Sequence, residues 1–294
     1  MQSLLLNNLP LVSVLMTAYN REKYLGEAIE SVLASNYKNF ELIIVDDKSI
    51  DKTIVIAKKY KEEDKRIFIY ENEINLGDYP NRNKAASYAN GKYLFYVDSD
   101  DTIYPDTIEY CVSNMEKNSA ADMAMVYQIE KIPAPILLTS EMALRNHFFK
   151  VPFLVIGPGG TFLKKSFFNS LNGYTTFYGP ANDMYFNLKA ANEGTILLLP
   201  YVFVNYRRHS GQEINNTDSY LVNSYSFLRD ALVNLNLKLT DREKKWLSKK
   251  NKRRFVVNMY KYFVKSFSVK KSLDKISKAN FKCKDAFVGI FHFD

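Results

Sequence analysis

Residues 91–106 read GKYLFYVDSDDTIYPD, and their acidic side chains are the first candidates for chemistry. An apolar run, Tyr93 to Val97, ends abruptly in Asp98, Ser99, Asp100 and Asp101. Three carboxylates within four residues repel one another unless a cation sits among them. Mg2+ and Mn2+ prefer oxygen ligands, and Mg2+ usually takes one or two protein carboxylates together with substrate phosphates. The same residues also suit a cap for the next helix, with the remaining carboxylates solvated.

Other residues with chemical potential sit at comparable positions. Asp46 and Asp47 close a second apolar run, FELIIVD. A carboxylate there accepts from a nucleobase imide N–H or a ribose hydroxyl, or else caps a helix. Thr17, Ala18, Tyr19 and Asn20 follow a third apolar run. Tyr19 can stack on a base or belong to the core. Arg82, in NLGDYPNRNKAAS, either meets a phosphate or makes a surface ion pair. Arg207 and Arg208, in YRRHSG, suit a diphosphate. His209 beside them reads as a third metal ligand or diphosphate contact, or as an exposed turn residue. Asp183 stands in GPANDMYFNLKAA, where a helix N-cap is equally natural.

Alternating elements must position these residues. LVSVLM (11–16), FELIIVD (40–46), RIFIYEN (66–72) and KYLFYVD (92–98) read as strands. Between them, Leu25, Ala28, Ile29, Val32 and Leu33 share one helical face. Ser49 or Asp51 can cap a helix carrying Ile54, Ala57 and Tyr60. NRNKAASYANG (81–91) reads as a helix closed by Gly91 at its C′ position. A further helix follows Pro105. Continuously apolar strands alternating with helices predict a parallel sheet covered on both faces. Ligands of such sheets lie outside the carboxyl ends of the strands, so the three segments should converge on one crevice. Beyond residue 120, MAMVYQIE (123–130) suggests another strand and GPGGTFLKKSFF a Gly-rich turn with an amphipathic segment. A strand over 195–211 ends in a basic turn, and the chain from about 220 reads as helical.

Together these pieces resemble the family 2 glycosyltransferases of the GT-A fold. LVSVLMTAYNREKYLGEAIESVLASNYKNFELIIVDDKSIDKT resembles the family's N-terminal signature, and NLGDYPNRNKAASYANGKYLFYVDSDDTIYPD its second block, ending in the DxD motif. GPGGTFLKKSFFNSLNGY resembles its acceptor-side segment and GPANDMYFNLKAA the segment bearing the catalytic carboxylate. The usual Glu-Asp of that segment is here Asn182–Asp183, so the first acidic position is lost. The resemblance implies a Rossmann-like, mostly parallel α/β sheet flanked by helices, with a C-terminal helical extension. It divides the chain into a catalytic domain, 1–218, and a basic helical region, 219–294. Within the former, 1–120 would bind the nucleotide sugar and 121–218 the acceptor.

The resemblance also implies roles. Thr17, Ala18, Tyr19 and Asp47 would hold base and ribose, with Asp46 nearby, and Arg21 and Arg82 would lie near the diphosphate. Asp98, Ser99 and Asp100 would bind the donor. Asp100 or Asp101 would ligate Mn2+ or Mg2+, joined by His209, since related segments often read Arg-x-His. Asp183 would be the general base. One base and one metal on opposite faces of the sugar imply inversion at the anomeric carbon. The QxxRW motif of the processive synthases is absent, and the sole tryptophan, Trp246, stands in KKWLSKK. That favours a non-processive enzyme using a UDP-sugar and a glycan or lipid-linked acceptor in cell-surface polysaccharide synthesis.

Two competing functions fit less well. A sugar-phosphate nucleotidyltransferase would show a Gly-rich basic loop after its first strand, which TAYNREKYLGE is not. A non-catalytic nucleotide-sugar or glycan-binding subunit is kept in view by the altered Asn182–Asp183.

Composition sets the remaining bounds. The 294 residues are 47% hydrophobic and 24% charged, as in ordinary globular proteins. Two distant cysteines, Cys111 and Cys283, form no metal spacing. No apolar run approaches a membrane span, and the N-terminus lacks signal-peptide features, so a cytoplasmic enzyme is expected. From Lys238 onward, 17 Lys and Arg face five Asp and Glu, a charge of +12, which leaves −4 on the rest of a chain that totals +8. The basic, aromatic stretch 244–267 is either a helix docked on the catalytic domain or an attachment to an anionic membrane surface on its inner face. Val256, Met259, Tyr260, Phe263 and Phe267 would share its apolar stripe. Nucleic acid is not an expected partner, because no reading module accompanies the basic tract.

Overall fold

The computed structural model describes residues 9–127, 132–209 and 217–291. The final residues of the strand expected over 123–130 lie outside them. The described residues group into two units that interleave along the chain: 1–139, Val155–Tyr174 and Gly194–Arg208 form the first, and Ser140–Leu154, Thr175–Glu193 and His209–Asp294 the second.

In the first unit, β1 (Val12–Ala18) and β2 (Phe40–Asp46) are buried almost end to end, as their unbroken apolar sequences require. They pair in parallel with Ala18 opposite Asp46, and β3 (Ile67–Glu71) continues the ladder beyond β2. β4 (Tyr93–Tyr96) pairs in parallel on the other side of β1. The order β3-β2-β1-β4 therefore reverses direction at β1, the kind of switch point where open α/β sheets bind ligands. Helices α1 (Leu25–Leu33), α2 (Thr53–Glu63) and α3 (Asp78–Tyr88) make the crossovers. Leu25, Ala28, Ile29 and Val32 of α1 enter the core beside Val14, Met16, Leu42, Ile44 and Phe95.

Beyond β4 the ladder is mixed. A short β5 (Thr102–Ile103) precedes α4 (Thr107–Lys117), followed by β6 (Met123–Val126) and β7 (Ile136–Leu138). After α5 (Ser140–Phe149) of the second unit come β8 (Thr161–Lys164) and α6 (Lys165–Ser170). β8 runs antiparallel between β4 and β6. β9 (Ile196–Leu199) pairs in parallel with β6 and antiparallel with β7. Six strands thus share one direction and β7 and β8 oppose them. The apolar stretch expected as one strand over 195–211 is broken at Pro200 into β9 and β10 (Val204–Asn205), which leaves the main sheet to pair with β5.

Gly91 corrects its expected role. α3 ends at Tyr88 with an extended Ala89 as cap, so Gly91 closes no helix. A Cβ there would stand 2.6 Å from the Ser13 amide nitrogen and 2.8 Å from the Leu11 carbonyl oxygen. Glycine is required because the chain entering β4 lies directly against β1.

The second unit is helical. Its members are α5, α7 (Asn182–Glu193), α8 (Thr217–Asn234), α9 (Asp241–Ser266), α10 (Val269–Lys278) and α11 (Cys283–Phe291). A capping box of Thr240 and Glu243 starts α9, and a left-handed Phe267 ends it. The buried stripe of α9 is Leu247, Asn251, Phe255 and Met259. Of the stripe expected from sequence, Met259 belongs to this buried face, while Tyr260, Phe263 and Phe267 are exposed. Phe255 packs against Tyr225 and Phe281, each with ring centroids 4.7 Å away. No described helix is long and apolar enough to cross a membrane.

Candidate functional site

The carboxyl ends of β1, β2 and β4 bring together most of the residues selected from sequence. Half-buried Thr17 and buried Ala18 end β1, and Tyr19 projects beyond them, 45% exposed. Asn20 adopts the left-handed conformation that asparagine tolerates. Its amide donates to Ser49 Oγ at 2.9 Å, and its Oδ1 accepts from the Ile50 amide at 2.9 Å. These bonds join the loop after β1 to the loop after β2.

Asp46 serves that second loop. Its carboxylate accepts from the Ser49 amide at 2.8 Å and from the Ser49 hydroxyl at 2.5 Å. Asp47 faces the opposite way. Its Oδ1 accepts from Asn72 Nδ2 at 2.7 Å and the Leu76 amide at 2.8 Å, and its Oδ2 accepts from the Gly77 amide at 2.9 Å. Asp47 thereby pins the loop that launches α3. Asn72 also donates to Asn81 Oδ1 at 2.9 Å. Its own Oδ1 is buried with no hydrogen-bond partner. A buried carbonyl oxygen without a donor is costly, and a ligand N–H arriving there would remove the penalty. Sequence reasoning missed Asn72. It follows β3 just as Asp47 follows β2, and that strand-end position was the available signal.

Arg82, buried on α3, binds two carboxylates: Nε meets Asp78 at 2.7 Å and Nη2 meets Asp98 at 2.7 Å. Its guanidinium lies 5.9 Å from the Tyr79 ring and 5.8 Å from the Tyr96 ring. Asp78 and Asp98 outweigh the desolvation of the guanidinium and raise its already high pKa further. The adjacent Asn83 ties the site to the turn before Tyr174, donating to the Tyr174 carbonyl at 2.8 Å and accepting from its amide at 2.9 Å.

The carboxylates after β4 are held separately. Asp98 takes Arg82, and Arg21 Nε reaches Asp100 Oδ2 at 3.1 Å. Asp101 Oδ1 accepts from the Arg207 amide at 2.9 Å. Ser99 is buried among them. Burial pushes the Asp98 carboxyl up against the pull of Arg82, and the Asp100 charge adds to the push. Desolvation, with the charges of Asp98 and Asp100, pushes Asp101 up to about 7. Tyr206, also missed from sequence, has its hydroxyl pKa raised by burial and by the charges of Asp101, Asp100 and Asp98. It follows the short pairing of β10 with β5, which was not foreseen and which brings 206–207 to the acidic turn.

The Arg207 guanidinium pairs with Glu27 at 2.6 Å and lies 5.0 Å from the Tyr24 ring, while its backbone amide bonds Asp101 and its charge opposes the upward push on that carboxyl. Arg208 is exposed.

The donor set fits a hard cation. All the side chains are carboxylates, and desolvation raises the Asp101 carboxyl despite the Arg207 charge. Among the described residues no three His, Cys, Asp or Glu side chains are gathered as a ready-made cage. A cation here would rest on one or two aspartates and complete its shell with phosphate and water oxygens.

Asp183 and His209 belong to the second unit. His209 is half-buried. Asp183 occupies the first turn of α7 and accepts from the Met184 amide at 2.6 Å. Asn182 explains the missing acid beside it. Its Oδ1 accepts from Thr175 Oγ1 at 2.8 Å and the Tyr178 amide at 3.0 Å, while Nδ2 donates to the Gly179 carbonyl at 2.7 Å. An ionised carboxylate cannot make the third bond.

Comparison with known proteins agrees with this architecture. The model of glycosyl transferase family 2 matches residues 13–169, more than half of the chain, and the chain belongs to that family. An uncharacterized glycosyltransferase of Methanocaldococcus jannaschii is 44% identical over 126 residues, spanning 42% of this chain and 43% of the relative. The Escherichia coli UDP-Glc:alpha-D-GlcNAc-diphosphoundecaprenol beta-1,3-glucosyltransferase WfgD is 36% identical over 143 residues, 46% of this chain and 56% of WfgD. The chain thus spans about half the length of these relatives. Among solved structures, S. aureus TarS in complex with UDP-GlcNAc has a TM-score of 0.71 at 20% identity, covering 91% of this chain and 79% of that one. The Pyrobaculum calidifontis mannosyltransferase PcManGT, in complex with GDP-Man and Mn2+, has a TM-score of 0.65 at 13% identity, covering 97% and 84%. At such identities the structures speak for the fold.

Proposed function

We propose that the protein is an inverting, metal-assisted glycosyltransferase. It moves a sugar from a nucleotide sugar, a UDP-sugar by preference, to a hydroxyl of a glycan or lipid-linked acceptor in cell-surface polysaccharide synthesis. The observation that carries the reading is the convergence of three strand ends at the β1 switch point, where two arginines already hold separate carboxylates of one acidic turn. The donor named for TarS and the acceptor named for WfgD support the choice of substrates.

In this reading Tyr19 stacks on the base. The orphaned Asn72 Oδ1 accepts from a base or ribose donor, with Asp47 setting the loop around it. Arg21 and Arg82 lie beside the diphosphate. Asp100 and Asp101 hold Mn2+ or Mg2+, with His209 as the further ligand. When bound, the cation neutralises charge that develops on the leaving diphosphate. Asp183 takes the proton of the acceptor hydroxyl as the new bond forms.

The test is release of nucleoside diphosphate from a panel of nucleotide sugars, with Mn2+ or with EDTA, over glycan and lipid-diphosphate acceptors. Asp183→Asn is expected to lower turnover by about 100-fold or more while leaving donor affinity within a few fold. Normal turnover in that variant removes Asp183 from the mechanism. Release of pyrophosphate instead would make the protein a nucleotidyltransferase.

A further inference from the structure

We propose that the C-terminal third of α9 seats the second unit on a bilayer containing anionic phospholipids, through a face made by Tyr260, Phe263, Val264 and Phe267. These residues fall at i, i+3, i+4 and i+7, one stripe of a helix. They are 69%, 38%, 45% and 85% exposed. The helix packs through a different stripe, Leu247, Asn251, Phe255 and Met259. The outer stripe is therefore a second apolar face that the core of this unit does not use. A contiguous apolar face of this kind on a protein surface marks an interaction site.

Charge selects the partner. Residues 257–291 contain eight lysines and two aspartates, with no glutamate. Both aspartates are engaged within the unit: Asp274 pairs with Lys278 at 2.9 Å and Asp285 with Lys252 at 2.9 Å. Lys261 and Lys265 are exposed and flank the stripe. The next two helices repeat the pattern. Val269 and Leu273 of α10 are 62% and 58% exposed, and Phe287 and Phe291 of α11 are 58% and 61% exposed. Gly289 faces the other way, with α9 so close that a Cβ would meet the Lys252 carbonyl oxygen at 3.1 Å. Aromatic side chains ringed by lysines, with both acids paired to lysines, fit the headgroup boundary of an anionic membrane. The rings enter the acyl edge while the lysine ammonium groups stay at the phosphates.

This placement revises which part of the basic region meets lipid. The lysine-rich start of α9 is docked within its own unit: Trp246 packs on Phe149 at 5.4 Å, and Lys250 lies 4.6 Å from the Trp246 ring centre.

The test is co-sedimentation of the full chain with phosphatidylcholine vesicles, alone or mixed with phosphatidylglycerol, at low and high salt. Light scattering on the same sample gives the oligomeric state. The wild type should partition at least tenfold better onto anionic vesicles and lose most of that gain at high salt. The double variant Val264→Asp, Phe267→Asp should lose at least tenfold, and so should Lys261→Glu, Lys265→Glu. All these positions are exposed, so thermal unfolding and donor binding should match wild type and verify the fold. Indifference of the wild type to anionic vesicles overturns the proposal, as does wild-type binding by the apolar double variant. A dimer that dissociates in that variant, without vesicle binding, would assign the face to a second copy of the chain instead.

Discussion

Asp47→Asn tests whether the loop before α3 is held as the structure describes. The carboxylate accepts three hydrogen bonds, from Asn72 Nδ2, the Leu76 amide and the Gly77 amide, at 2.7, 2.8 and 2.9 Å. The amide has the same shape but only one acceptor. With its oxygen at the Oδ1 position it keeps two bonds and sets its NH2 against the Gly77 N–H. The other orientation opposes two donors, so the first is the cheaper. One stranded backbone donor costs about 1–3 kcal/mol, and the two retained bonds lose their charge assistance, about 1 kcal/mol each. The expected loss of stability is about 3–5 kcal/mol. Urea unfolding measures it as a lower midpoint with unchanged slope. Donor affinity should fall in the same variant, because the Gly77 amide loses its acceptor and the loop beside Asn72 loosens. An unchanged midpoint would refute the structural role. Lost donor affinity at full stability would make Asp47 a ligand contact and nothing more.

Other outcomes follow from single contacts. Arg82→Ala leaves the half-buried Asp98 without its 2.7 Å partner and should lower stability by about 2 kcal/mol, read by urea unfolding; Arg82→Lys should recover only part, since an ammonium cannot span Asp78 and Asp98 as the planar fork does. Gly91→Ala forces a Cβ to within 2.6 Å of the Ser13 nitrogen and should cost about 2 kcal/mol or more by the same measurement. His147 accepts from the Leu154 amide at 3.1 Å, and burial, with the charge of Arg254, depresses its pKa to about 4. The unfolded chain takes up that proton near pH 6.5, so this contribution is intact above 6.5 and is lost as pH falls toward 4, by up to about 3 kcal/mol. The acid limb of the stability profile should be shallower in His147→Gln.

Strands β1, β2 and β4 were legible because they are buried on both faces and so read as unbroken apolar runs, and the edge strand β3 because its run Ile67–Tyr70 is apolar although Phe68 is exposed. The helix faces between them were legible from spacing. β8 was not, because an antiparallel strand of four residues inside a Gly-rich segment leaves no distinct pattern. β5 and β10 have two residues each, and only tertiary pairing makes them strands. The acidic turn, Asp46, Asp47 and the loop after β1 were found because a charge at the end of a buried strand is conspicuous. Asn72 and Tyr206 carry no charge; Asn72 had only its strand-end position to signal it, and Tyr206 was invisible until its neighbours were placed. Arg207 was selected for its guanidinium, and the bond its backbone amide makes to the acidic turn was not foreseen, since every residue but proline has that group. In α9 the sequence offers two apolar stripes, and spacing alone cannot say which one packs.

The most direct measurement is calorimetric titration of UDP-sugars into wild type and Asp100→Asn, each with Mn2+ and with EDTA. The account predicts binding by the wild type that strengthens at least tenfold with Mn2+, and loss of that metal-dependent gain in the variant. Wild-type binding indifferent to Mn2+, or an equal metal effect in Asp100→Asn, would contradict the placement of donor and cation at the strand-end aspartates.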